Sequence, residues 1–204
     1  NPDSMLTVSA QAAGQPPSKL GLTAGSKISV EDAIKALVVK SANDVAVTVA
    51  EGVSGSEWKF AQTMTTRARQ LGMMNTTFKN ASGLPNSKQM TTARDLARLG
   101  LLYLNDGVWN GKRILPVGWV DYVRTPSGPQ PASRGGYGAQ FWLFGPEQGM
   151  PEGSYAAIGN RGQHLVIVPT RNVLIVRRGY DEVGGVNFDA ARFSADILAA
   201  LPED

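Results

Sequence analysis

Val30-Glu31-Asp32-Ala33-Ile34-Lys35-Ala36-Leu37-Val38-Val39-Lys40-Ser41-Ala42-Asn43-Asp44-Val45-Ala46-Val47, residues 30–47, is the stretch on which the fold turns. Ser29 stands where a helix N-cap belongs and Asp32 answers it three residues on, so a helix is expected up to Lys40 with Ile34, Leu37 and Val38 on its buried face. Past Lys40, Val45, Val47 and Val49 alternate as in a strand, but Ala46, Ala50 and Glu51 before Gly52 favour a second helix. The stretch therefore reads as a helix pair that bends at Ser41-Ala42-Asn43.

Upstream, residues 1 to about 28 are rich in Gly, Pro, Ser and Ala, with Gln15-Pro16-Pro17-Ser18 at the centre, and read as loop with at most short extended pieces. Downstream, Ser56 caps a third helix whose apolar stripe is Phe60, Met64, Ala68 and Leu71, ending at Gly72. Thr92 with Asp95 opens a fourth, carrying Leu96, Leu99, Leu101, Leu102 and Leu104 before the stop at Asn105-Asp106-Gly107. After a Pro/Gly/Ser-rich stretch from Thr125 to Gly136 the character changes. Phe141 to Phe144, Leu165 to Val168 and Val173 to Val176 read as short strands, the last two joined through Pro169-Thr170-Arg171-Asn172 as a hairpin. Phe188 to Leu201 reads as a closing helix with Phe193, Ile197, Leu198 and Leu201 buried. Helices, then antiparallel strands, then a helix make an α+β chain.

Composition narrows the function. With 42% hydrophobic and 18% charged residues the 204-residue chain is globular rather than disordered. Its net charge of +3 is dispersed, the densest cluster being Arg177-Arg178, so nucleic acid is not an expected partner. No cysteine is present, which removes thiolate chemistry, disulfides and the commonest zinc sites, and a single His164 leaves no basis for a histidine metal cluster. No metal or other cofactor is expected. No apolar run approaches the roughly 20 residues of a membrane span. His164, in His164-Leu165-Val166-Ile167-Val168, reads as a strand residue rather than a catalytic base.

Taken alone, Ser41-Ala42-Asn43 is explained by capping at a helix junction. In context, the segment from Val30 to Val47 resembles the helix pair that carries the Ser-x-Asn motif of serine D-Ala-D-Ala carboxypeptidases. The likeness continues through Gly55-Ser56, Ala68, Leu71-Gly72-Met73, Asn75-Thr76-Thr77-Phe78, Ser82-Gly83-Leu84 and Thr91-Thr92-Ala93-Arg94-Asp95, and covers residues 1–97. Residues 93–204 instead resemble class C β-lactamase-type hydrolases, a branch that includes esterases and 6-aminohexanoate-dimer hydrolases. That likeness rests on Asp106 to Pro116, Gly118-Trp119-Val120, Tyr137-Gly138, Phe141-Trp142-Leu143 and Gly159-Asn160-Arg161-Gly162-Gln163 with the strands that follow. Both branches belong to the penicillin-recognising serine hydrolases.

The resemblance implies a partial β-lactamase/transpeptidase-like fold, a single incomplete domain over 1–204 divided into a carboxypeptidase-like helical part (1–97) and a class C-like part (98–204). It implies a peptidoglycan-type peptide or a β-lactam as ligand, and a periplasmic or extracytoplasmic setting. Such enzymes need a Ser-x-x-Lys pair, whose spacing places hydroxyl and amine on one helix face; a second motif that relays the proton; and a strand edge that holds the substrate carboxylate. By resemblance the catalytic residues here are Ser41, the relay hydroxyl, and Asn43, the orienting amide. Asn160, Arg161 and Gly162 take the third motif's place as substrate-binding residues, although Asn160 stands where Lys or His is usual and Arg161 where Thr or Ser is. A plain strand end with backbone clearance at Gly162 explains those three equally well. The one literal Ser-x-x-Lys, Ser56-Glu57-Trp58-Lys59, reads as a helix cap. Without a nucleophile the fragment is expected to leave a sheet edge open, to be covered by a partner chain or a second copy. Two readings follow: a portion of a serine-type hydrolase, or a binding or structural module that keeps the fold without turnover.

Overall fold

A computed structural model describes residues 1–130, 135–182 and 188–202. It divides into two compact units, Asn1–Thr92 and Ala93–Asp204.

The first unit opens with a short antiparallel ribbon, β1 (Met5–Thr7) against β2 (Lys27–Ser29), with Leu6 opposite Ile28. Between them lies a one-turn helix, α1 (Ala10–Ala13), which the loop reading of residues 1–28 missed; Ser9 caps it by accepting the Ala12 N–H. α2 (Val30–Lys40) and α3 (Asn43–Ser54) form the expected pair. Ser29 Oγ accepts the Asp32 N–H at 3.0 Å, and Glu31 and Asp32 at the first turn with Lys40 at the last complement the helix dipole. α4 (Glu57–Gln70) starts at the Ser56 cap and carries Arg67 and Arg69 in its last turn.

The buried face of α2 is Ala33, Ala36 and Val38, whereas Ile34 is 44% exposed. The expected stripe is thus rotated by about one residue. The small side chains Ala33, Ala36 and Ala42 share one cluster with Ile28 and Val45, while Leu37 lies at its margin. Residues of that size allow close backbone approach, and a count of large apolar residues overlooks them.

In the second unit α5 (Ala93–Leu104) is followed by a two-residue hairpin, β3 (Val108–Trp109) with β4 (Lys112–Arg113). Its Asn110-Gly111 turn has both φ values positive, as the twist of a tight hairpin demands. After α6 (Trp119–Val123) come β5 (Trp142–Phe144), β6 (Ser154–Gly159), β7 (Gln163–Val168) and β8 (Val173–Arg178), an antiparallel sheet in sequence order. The expected β7–β8 hairpin turns through a single helical turn at Pro169–Arg171 and Asn172 in the left-handed region. β6 was not anticipated from local pattern, because Ala156, Ala157 and Gly159 carry little strand signal; its two neighbours define it. α5 lies on one face of the sheet, with Gly100 against Leu165 and Leu174. On the other face Val166, Val168 and Ile175 pack with Met150 and with Ala191 and Leu198 of α7 (Ala190–Ala200).

α7 starts two residues later than Phe188, capped by Asp189 accepting the Arg192 N–H. Its inner face is Ala190, Ala191, Ser194 and Leu198, with Ile197 at the margin. Phe193 and Leu201, expected inside, are each 40% exposed; Phe193 packs edge-on to Phe188 instead. Here too alanines occupy the close contact. The order of helices, antiparallel strands and closing helix is the α+β arrangement anticipated.

Candidate active site

Ser41 terminates α2 in the left-handed region, φ 50° and ψ 48°, with its N–H donating to the Leu37 carbonyl and its side chain exposed. For a residue with a Cβ this backbone costs about 1–2 kcal/mol, so the surroundings must hold it. They do so from both sides. Ser18 Oγ donates to the Lys40 carbonyl at 2.9 Å just before Ser41, and the Ser18 carbonyl accepts the Asn43 N–H at 2.8 Å just after it. Asn43 is 8% exposed and its Nδ2 donates to the Pro16 carbonyl at 3.0 Å. The Ser41 hydroxyl is thereby presented on a fixed, strained corner. Replacing Ser41 by glycine is expected to stabilise the fold by about 0.5–1 kcal/mol, because glycine takes this backbone without a Cβ clash but loses more chain entropy. Denaturant unfolding measures it, and a lowered midpoint would mean that the corner is unstrained.

Asp44, given no role by the sequence reading, is fully buried. Its carboxylate accepts the N–H groups of Leu20 (3.0 Å), Gly21 (2.9 Å), Leu22 (3.1 Å) and Val45 (3.0 Å). Burial pushes its pKa up, but the four backbone donors outweigh burial and hold it below the ordinary carboxylate value. The segment 16–22 is thus a strap tied to α3 at its far end by Asp44 and at its near end by Asn43. An acidic residue in a helix's first turn is the only local signal of this, and the dipole alone would explain it.

Asn160, Arg161 and Gly162 form the β6–β7 turn, closed by the pair Gly159 and Gln163. Asn160 is exposed. Arg161 and Gly162 have φ of 64° and 86°. Arg161 Nε donates to the Asp181 carbonyl at 3.0 Å and Nη1 to Tyr180 Oη at 2.8 Å, with the guanidinium 3.7 Å above the Tyr180 ring. Its Nη2 meets no protein acceptor among the described residues. Arg177 binds the Gly162 carbonyl at 2.7 Å and grips the Asp181 carboxylate with both terminal nitrogens, at 3.0 and 2.7 Å. That hydrogen-bonded pairing, against some cost of burial, holds the Asp181 pKa below the ordinary carboxylate value. Two arginines, one neutralised by Asp181, leave a net positive corner suited to a carboxylate ligand.

His164 lies in β7 as expected, 7% exposed, with its ring 5.4 Å from Phe188. Burial first, and then the cation of Arg177 opposite it, lower its pKa, Asp181 opposing; neither ring nitrogen has a protein partner among the described residues. Ser56 Oγ accepts the Lys59 N–H at 3.3 Å, the cap that was anticipated. Phe141 is core, its ring tilted against Tyr103 and edge-on to Tyr155, while Trp109, Trp119 and Trp142 are half-buried. No cluster of metal-binding side chains occurs among the described residues.

A family model described as D-alanyl-D-alanine carboxypeptidase matches residues 1–111, more than half of the chain. The chain belongs to the D-alanyl-D-alanine carboxypeptidase family. The D-alanyl-D-alanine carboxypeptidase DacC of Escherichia coli is 38% identical over 108 residues, 50% of this chain and 27% of that protein. The 6-aminohexanoate-dimer hydrolase of Paenarthrobacter ureafaciens is 34% identical over 104 residues, 47% and 26%. The chain thus spans about a quarter of the length of these carboxypeptidase and hydrolase relatives. The crystal structure of penicillin binding protein 6B from Escherichia coli shares the fold, with a TM-score of 0.52 and 23% identity over 98% of this chain and 61% of that one. Membership of the penicillin-recognising serine hydrolases and the mixed helix and antiparallel-sheet fold, both expected from the sequence, are borne out. Among the described residues no helix of this carboxypeptidase-family chain is long and apolar enough to cross a membrane.

Proposed function

We propose that residues 1–204 are the portion of a serine-type D-Ala-D-Ala carboxypeptidase or β-lactamase-like hydrolase that supplies the proton relay and the carboxylate-binding turn. Its ligand is a peptidoglycan-type peptide or a β-lactam. The observation that carries this reading is Ser41: an exposed hydroxyl on a left-handed corner, held on both sides by Ser18. Glycine is the usual residue at a left-handed helix end, so a serine there is better accounted for by a use for its hydroxyl. Ser41 relays the proton between a nucleophile and the leaving group. Asn43, its Nδ2 committed to Pro16, offers Oδ1 to orient a cationic amine. At the β6–β7 turn, Arg161 Nη2, without an acceptor among the described residues, is the donor for a substrate carboxylate, with Asn160 beside it and Gly162 giving clearance.

The chain's one literal Ser-x-x-Lys is occupied in capping α4, with Ser56 bonded to the Lys59 backbone. That observation favours a second reading for these 204 residues alone, a module with fold and pocket but no turnover. Residues 1–204 are therefore expected to give no stoichiometric adduct with a fluorescent penicillin by intact mass; an adduct mapped to Ser56 would overturn the assignment of that serine as a cap. Fused to a Ser-x-x-Lys segment from a relative, the chain is expected to acylate, and Ser41→Ala to slow acylation about a hundredfold or more. Unchanged acylation in Ser41→Ala would remove the relay role.

A further inference from the structure

Resting on the reading of Ser41 as the relay, we infer that Asp44 is a positioning residue, which fixes the Ser41 corner through the strap 16–22. The chain of contacts is continuous. Asp44 gathers the successive N–H groups of Leu20, Gly21 and Leu22, and among the described residues no ionisable side chain is a hydrogen-bond partner of it. A carboxylate collecting consecutive amides fixes the backbone that bears them, since each N–H would otherwise seek water. Leu22, on that backbone, packs against the core cluster of Ile28, Ala33 and Val45, which anchors the end of the strap. Two residues before Leu20, Ser18 grips Lys40 and Asn43, the neighbours of the Ser41-Ala42 corner, and Pro16 holds the Asn43 amide. Asp44 itself follows Asn43 at the start of α3. Strap and helix thus close a loop around one exposed hydroxyl, and Asp44 is the knot.

A wholly buried carboxylate is a costly way to end a loop that needs only to be covered. Its selection is accounted for by what it holds: a serine in a backbone conformation that the residue would leave if released. The charged form makes these bonds. Because the pKa of Asp44 is lowered in the fold, the tether is complete above the ordinary carboxylate range and is lost as pH falls through the depressed folded value.

The test is carbon and amide NMR of the whole chain, which needs no turnover and so stands apart from the acylation assay for Ser41. In Asp44→Asn the Leu20, Gly21 and Leu22 amides are expected to move, and with them the Ser41 Cα and Cβ resonances away from left-handed values. Asn43 amide exchange should accelerate roughly a hundredfold more than that of Thr65 in mid-α4, the reference for global opening. In the wild type the Ser41 resonances should follow the Asp44 titration at acid pH, and in Asp44→Asn that response should vanish. Ser41 signals that stay at wild-type positions while Leu20 to Leu22 shift would overturn the inference, leaving Asp44 a purely structural tie. Should Asp44→Asn not fold, Ser18→Ala decides: a changed Ser41 signature supports the strap, and an unchanged one refutes it. If acylation proves indifferent to Ser41 while these shifts occur, the relay reading fails and the tether stands.

Discussion

Replacing Ile167 by aspartate is expected to cost the sheet unit about 5 kcal/mol or more, enough to unfold it at neutral pH. Ile167 is fully buried near the C-terminal end of β7, opposite Tyr155 of β6 and Leu174 of β8. It points to the same face as Leu165, which meets α5 at Gly100. The substitution removes apolar contacts and buries a carboxylate between Tyr155 and Leu174, where the Tyr155 hydroxyl is the one side-chain donor on the two opposing residues and neither carries a positive charge to pair with it. Ile167→Val, which removes one methylene, should cost only about 1 kcal/mol. The contrast separates burial of charge from loss of volume. Denaturant titration followed by tryptophan fluorescence, with Trp142 on β5 as an internal reporter, measures both; an unchanged midpoint in Ile167→Asp would show that β7 is not the centre of this core.

What was legible in the sequence follows the range of the interaction that sets each feature. The caps at Ser29 and Ser56 and the β7–β8 hairpin were read correctly, because a cap or a tight turn is decided within about four residues. The buried faces of α2 and α7 were read correctly at Val38 and Leu198 and misassigned elsewhere for one reason. Hydrophobic periodicity weighs Ile34, Phe193 and Leu201 above Ala33, Ala36, Ala190 and Ala191, yet close packing of backbones selects the small residues and turns the large ones outward. β6 illustrates the opposite limit: Ser154 to Gly159 has little intrinsic strand character and is a strand because β5 and β7 hydrogen-bond to it on both sides.

The candidate site divides in the same way. Ser41 and Asn43 stood out through a tripeptide at a helix junction, and the structure places them at the left-handed end of α2 and the start of α3. Asp44 was invisible as a tether because its partners lie 22 to 24 residues upstream in a Pro- and Gly-rich segment without periodicity. The turn at Asn160-Arg161-Gly162 was located, but its second layer was not. Tyr180, Asp181 and Arg177 approach it only because β8 carries the chain back alongside β7.

Gly162 carries the sharpest consequence of that second layer. Gly162→Ala is expected to destabilise the sheet unit by about 2–5 kcal/mol, combining about 1–2 kcal/mol for a Cβ in left-handed backbone with about 1–3 kcal/mol for overpacking. The backbone has φ 86°, and an added Cβ would lie within clashing distance of both Arg177 Nη1 and the Asp181 carboxylate. Neither group can simply swing away. Arg177 is held over the Phe188 ring at 3.8 Å and bonded to the Gly162 carbonyl, and the backbone at Asp181 is bonded to Arg161 through both its N–H and its carbonyl. The methyl group must therefore break the Arg177–Asp181 pair or move the turn that carries Arg161. If the pair breaks, Asp181 loses the partner that lowers its pKa, so its carboxyl should titrate nearer the ordinary range. The contribution of the pair to stability is present above the unfolded carboxylate pKa and lost as pH falls through the folded one, so the variant should lose less stability than wild type across acid pH. Urea midpoints at neutral and acid pH, with the Asp181 titration followed by NMR, test both halves. A midpoint within about 0.5 kcal/mol of wild type at neutral pH would show that the turn is loose and that Gly162 is not required by the two arginines.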